Sequence, residues 1–165
     1  MIDPQKVSEK IIELLKNSDV EYKEFSHRIV LSYEDAAEAQ KETGFFGTES
    51  KCMVMKADDT YFVYITLQGK RVNMNAIKEK FAAKKVRLVT KEELKDLFGA
   101  EPGCAYPFGF EEKYPIFIDP KIFEQEWLLF SPAVPTKTIQ AKGVDLKKVF
   151  EKLPNTIESV ENFNE

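Results

Sequence analysis

Residues 50–68, SKCMVMKADDTYFVYITLQ, read as two strands joined at Asp58-Asp59, and this pair decides the fold. The second strand, Tyr61 to Leu67, is apolar on both faces, which predicts a central position with cover on either side. Outward toward the N-terminus, Asp3-Pro4 supplies a cap and a first helical position. Val7, Ile11, Ile12, Leu14 and Leu15 then recur at helical spacing until about Asn17. A short strand follows at Tyr22 to Phe25. Ser32 and Asp35 form a capping-box pattern that opens a helix over roughly Glu34 to Thr43, and Gly44 and Gly47 bracket a loop. Outward in the other direction, helices near Met74 to Ala83 and Lys91 to Phe98 flank a strand at Val86 to Val89. Thr90 and Glu93 make a second capping box, and Gly99 stands where a helix stops. Strands at Ile116 to Ile118, Trp127 to Phe130 and Thr136 to Ala141 precede a last helix from Asp145 to Leu153. Strands and helices interleave without a strict βαβ rhythm. The expectation is an α/β fold of the mixed α+β kind: a mixed, partly barrel-like sheet surrounded by helices.

A length of 165 residues, 43% of them hydrophobic, suits one domain with a real core, expected over residues 1–154. Residues 155–165 read as a polar tail that frays. Cys52 and Cys104 are far apart, and His27 is the one histidine, so neither a zinc site nor a disulfide framework is suggested. Reduced thiols, a charged N-terminal stretch and no long apolar run predict a cytoplasmic protein with no metal or organic cofactor. A net charge of −4 argues against avid nonspecific binding to nucleic acid, and neither DNA nor a membrane is an expected partner. The cluster Lys78, Lys80, Lys84, Lys85 and Arg87 could still touch RNA phosphate, although a charged helix face is ordinarily just solvated.

The stretch Gly99 to Gly109, GAEPGCAYPFG, puts three glycines and two prolines into eleven residues, far more than a turn requires. Taken with His27, the S-x-E-D-A-A start at Ser32 to Ala37, and Lys51 opening an apolar strand, the G-x-x-P-G of Gly99 to Gly103 and the following Pro107-Phe108-Gly109 resemble the YbaK/ProX family of aminoacyl-tRNA editing domains. The resemblance covers nearly the whole chain. No single piece is specific; the order of the pieces carries it. It implies a mixed barrel with helices outside and a trans-acting deacylase that hydrolyses the ester of mischarged tRNA, commonly tRNA for proline carrying alanine or cysteine. Mischarged tRNA, through its acceptor end, and an aminoacyl-tRNA synthetase are the implied partners. Lys51 would match the family's functional lysine and Gly99 to Gly103 its glycine loop.

Ester hydrolysis places negative charge on the carbonyl oxygen, and glycine lets backbone N–H groups approach it without a Cβ in the way. Gly103 and Cys104 are therefore the candidate amide donors, with Pro102 fixing the approach and Pro107 the exit. Lys51 would meet either the carbonyl or the terminal phosphate. His27, Gly99, Pro102, Phe108 and Ser131 are the expected substrate-binding positions, with His27 a capping or packing residue at the pocket mouth. Phe45, Phe46, Met53, Ile65 and Phe108 are candidates to line a small pocket. Taken alone, a lysine at a strand start is a solvated edge residue and a Gly/Pro segment a turn; the resemblance is what moves them into a site. Two other readings stand beside the deacylase: a catalytically silent tRNA- or synthetase-binding module, and a thiol-dependent hydrolase using Cys104. In the alanine-removing part of the family a His-Pro pair tends to follow the late strand, whereas Ser131-Pro132 occupies that place here, which leaves the amino acid open.

Overall fold

The strand predicted to be central is flanked on both sides. In the computed structural model, which describes residues 2–165, it is β3 (Thr60–Leu67), paired antiparallel with β2 (Thr48–Ala57) and parallel with β5 (Ile116–Ile118). Its two faces feed two cores. Val63, Ile65 and Leu67 join the large core with Ile11, Leu15, Phe108, Ile116 and Phe130, whereas Phe62 and Tyr64 pack with Ile77, Phe117 and Phe163 on the other side. Each such buried side chain contributes about 1.5–3 kcal/mol, so continuous burial of β3 anchors both layers.

The remaining elements are α1 (Pro4–Asn17), β1 (Tyr22–Ser26), α2 (Tyr33–Thr43), α3 (Met74–Phe81), β4 (Val86–Leu88), α4 (Lys91–Phe98), β6 (Trp127–Phe130), β7 (Lys137–Lys142), α5 (Leu146–Lys152) and β8 (Ile157–Ser159). A short 3-10 turn at Pro120–Glu124 had no counterpart in the sequence reading. Local chemistry explains the helix ends. Asp3 accepts the Gln5 N–H ahead of Pro4, Thr90 and Glu93 make the full reciprocal box, and Gly99 ends α4 in the left-handed region. At Ser32 the box is only half made: its hydroxyl accepts the Asp35 N–H, but the Asp35 carboxylate takes the Leu31 N–H.

The sheet is mixed, in the order β1-β7-β6-β2-β3-β5-β8, with β4 also paired to β2. This pairing path is open-ended. Strands from both halves nevertheless face one core, since Leu128, Phe130, Ile139 and Ala141 share it with Val63 and Ile116. Strand β2 joins the halves. Thr48 and Glu49 pair with β6 and Met55 to Ala57 with β4 on the edge opposite β3, and on that edge the stretch between has no partner strand.

The C-terminal residues depart from the expected fraying tail. β8 adds to the sheet beside β5, Val160 and Phe163 are buried, and Asn164 donates to Thr66 and Asp119. The Glu165 N–H reaches the Arg71 carbonyl. Apolar anchors spaced along a polar segment, rather than its composition, fix its position.

Candidate active site

Where this edge of β2 has no partner strand it opens into a cavity of about 500 Å³. Three chain segments close around it. Glu101 donates its N–H to the Ala133 carbonyl at 3.0 Å, Val30 to Pro135 at 2.8 Å, and His27 to Thr136 at 2.9 Å. The glycine loop, the segment after β6 and the approach to α2 are thus stitched together through the main chain. Ala133 takes φ 71°, a strained left-handed value for a residue with a Cβ.

Five expected site residues line this cavity: His27, Lys51, Gly103, Cys104 and Ser131. Lys51 Nζ donates to the Lys70 carbonyl at 3.3 Å, and among the described residues it forms no ion pair. Gly103 is the third residue of a turn. Pro102 precedes it, its φ is 80°, and the Cys104 N–H closes the turn on the Glu101 carbonyl at 2.9 Å. Those are the marks of a type II turn, in which glycine supplies the positive φ. A Cβ built on Gly103 would meet only the Leu31 carbonyl, at 4.0 Å, so the position is open.

The turn corrects one expectation directly. The Cys104 amide is consumed in closing it and is not available as an oxyanion donor, which leaves the Gly103 N–H, without an acceptor among the described residues. The Cys104 thiol is buried and pushed up to about 11 by that burial, against a lowering contact with Ser131. At neutral pH it is a protonated thiol rather than a nucleophile. His27 does not activate it. Its Nδ1 lies 2.6 Å from the Arg28 carbonyl, which can only accept, so Nδ1 carries a proton, and Nε2 shares a hydrogen bond with the Thr138 hydroxyl at 2.8 Å. With both ring nitrogens occupied, His27 offers the cavity a packed ring, tilted against Phe45.

Three expected substrate-binding residues lie outside the lining. Gly99 caps α4, where an added Cβ would come within 2.5 Å of Ile2 and 2.8 Å of Val7. Pro102 forms the corner of the turn behind Gly103. Phe108 is wholly buried between Phe130 and Phe150. The other proposed lining residues are absent too. Met53 and Ile65 belong to the cores, Phe45 sits in a small cluster with Ala39 and Leu129, and Phe46 is exposed near Trp127. In the basic cluster Lys80 pairs with Glu158 and Arg87 with Glu93, and none of its five members lines the cavity.

The structure also brings in residues that the sequence reading passed over. Glu49, Tyr33, Lys137 and Thr138 line the cavity. Lys137 is neutralised by Glu24 at 2.9 Å. Glu49 is half-buried, and burial alone pushes its carboxyl up to about 7. Burial first, and then the neighbouring Glu49 and Cys52, raise the Tyr33 phenol. Among the described residues no group of three or more His, Cys, Asp and Glu side chains could hold a metal ion, and no helix is long and apolar enough to cross a membrane.

Residues 27–149 match the family model described as an aminoacyl-tRNA editing domain, and the chain belongs to that family. It is 35% identical over 69 residues to a proline–tRNA ligase of Bacillus pumilus, a stretch that is 42% of this chain and 12% of the ligase. Two solved structures share the fold. The hypothetical protein APE2540 has a TM-score of 0.73 at 16% identity, over 92% of this chain and 98% of its own. A candidate trans-editing enzyme for prolyl tRNA synthetase has a TM-score of 0.70 at 15% identity, over 94% and 96%.

Proposed function

We propose that this protein is a trans-editing deacylase that hydrolyses the ester of mischarged tRNA, with tRNA for proline carrying a small amino acid such as alanine or cysteine as the expected substrate. The observation that carries the reading is that Lys51 and Gly103, distant in sequence, face one cavity of a size that suits a small ligand. In this mechanism the terminal aminoacyl-adenosine enters against the open edge of β2. The Gly103 N–H donates to the carbonyl oxygen as it gains charge, a preorganised contact worth more in the transition state than in the ground state. The Lys51 ammonium adds positive charge either there or at the terminal phosphate. Water attacks the ester carbon and gives up a proton with help from the neighbouring ribose hydroxyl. The bond between that carbon and the ribose oxygen breaks, and the ribose oxygen leaves with the tRNA and takes up a proton while the amino acid is released with a free carboxylate. The protein supplies orientation and charge rather than a covalent nucleophile, in keeping with the protonated Cys104 thiol.

Such a second site is useful because binding separates small apolar side chains by only about 1–3 kcal/mol per methylene. The test is a deacylation screen over tRNAs charged with Ala, Cys, Ser, Thr, Gly and Pro. Faster loss of at least one small mischarged residue, with prolyl-tRNA spared, is expected. Binding of tRNA with no acceleration of any ester would overturn the proposal in favour of a silent binding module.

A further inference from the structure

The cavity holds a carboxylate that the mechanism above does not use. Glu49 lies at the start of β2, two residues before Lys51, so both side chains leave the same face of the strand. Among the described residues no cation pairs with it. Lys137 is held by Glu24, Lys51 contacts the Lys70 carbonyl, and both nitrogens of His27 are occupied. The other titratable groups around the cavity, Tyr33, Cys52 and Cys104, are neutral at pH 7, the last two with thiols pushed up to about 12 and about 11 by burial. An isolated carboxylate half-removed from water is costly unless something pairs with it. An aminoacyl ester brings one positive charge, its α-ammonium group, on the carbon next to the carbonyl to be attacked.

We propose that Glu49 is the anchor for the substrate's α-ammonium group, so that the site selects esters of amino acids with a free amine. The proposal rests on the deacylase reading and deepens it. Glu49 would hold the amino end while Lys51 and Gly103 receive the phosphate or carbonyl, which fixes the ester carbon between them. Glu49 is then a binding and orienting group, not the acceptor of a proton from water.

Single-turnover hydrolysis of one mischarged tRNA and of its Nα-acetyl derivative, by wild type and by Glu49→Gln, distinguishes these roles. The wild type should favour the free amine by roughly 10- to 100-fold, as a charge-assisted contact allows. Glu49→Gln should lose that preference, so that acetylating the amine and neutralising the carboxylate together cost no more than either alone. In wild type the free-amine substrate should show an acidic limb in kcat/KM near pH 7, where Glu49 gains its proton, and Glu49→Gln should abolish it. Equal slowing of both substrates by Glu49→Gln would make Glu49 a proton acceptor and overturn the proposal, as would a wild type indifferent to acetylation. A second arm uses 3′-alanylamino-adenosine, an amide that cannot be turned over, against its acetylated form, with binding read by NMR. Weaker binding of the acetylated probe to wild type only is the expected result. If no ester is hydrolysed, the deacylase reading fails while this arm still decides the role of Glu49.

Discussion

Gly99→Ala and Gly103→Ala add the same methyl group at two glycines of the same loop, both at left-handed φ, 63° and 80°, and they should fail in opposite ways. At Gly99 the new Cβ meets Ile2 Cγ2 at 2.5 Å, Val7 Cγ2 at 2.8 Å and Ile2 Cβ at 2.9 Å. Left-handed strain of about 1–2 kcal/mol adds to an overpacking cost of about 1–3 kcal/mol, a total of roughly 2–5 kcal/mol. For a domain of this length that lowers Tm by on the order of 10 °C. No group in the cavity changes. At Gly103 the new Cβ meets open space, so only the strain of about 1–2 kcal/mol applies. The turn can relieve it by passing from type II to type I, in which the third residue has negative φ and Pro102 still fits. That passage flips the 102–103 peptide and turns the N–H away from the substrate. Loss of one oxyanion donor should cost about 10²–10³-fold in rate. Thermal unfolding with single-turnover deacylation, normalised to folded protein, separates the two variants. A folded Gly103→Ala protein with an undiminished rate, or equal loss per folded molecule in Gly99→Ala, would refute the assignment.

Further outcomes follow from single residues. The Glu49 carboxyl, pushed up to about 7, keeps in the folded chain a proton that the unfolded chain has released, so its contribution to stability is present at low pH and is lost as pH rises toward 7. Urea unfolding should therefore show Glu49→Gln more stable than wild type by ~1–3 kcal/mol at pH 8 and equal to it near pH 4; the same difference at both pH values would argue against a buried charge. Cys104→Ala should keep activity within a few-fold, since the thiol is protonated and the turn uses only the main chain, whereas loss of turnover in a folded protein would revive the thiol hydrolase. Lys84 and Lys85 have side chains in no ion pair among the described residues, and changing both to Glu should weaken tRNA binding and flatten its salt dependence. Unchanged affinity and slope would mark them as a solvated face.

What was legible in the sequence was local. Asp3-Pro4, Thr90 with Glu93, and Gly99 set helix ends through contacts within a few residues, and the two-faced apolar run of β3 declared its central place. Lys51 and Gly103 were singled out through the order of motifs rather than by any property of their own. The Pro102-Gly103 pair did contain the reason that Cys104 cannot donate, because a type II turn spends the N–H of its fourth residue. Phe108 sits beside the glycine loop in sequence but points into the core, a choice made by Phe130 and Phe150. Glu49 was invisible because Thr48-Glu49-Ser50-Lys51 reads as an ordinary polar strand start. Tyr33 and the segment after β6, which line the same cavity, are brought near Glu49 only by the tertiary fold. β8 was lost for a similar reason: three residues in a polar tail become a strand only beside β5.

The most direct test of the account compares wild type with Lys51→Ala, each shown to be folded by circular dichroism, in single-turnover hydrolysis of the mischarged tRNA that the screen identifies. The wild type should accelerate ester loss. Lys51→Ala should slow the step by about 10²-fold if the ammonium meets the carbonyl, or weaken substrate binding at a similar step rate if it meets phosphate. Unchanged rate and unchanged affinity in folded Lys51→Ala would contradict the claim that this cavity is the deacylation site.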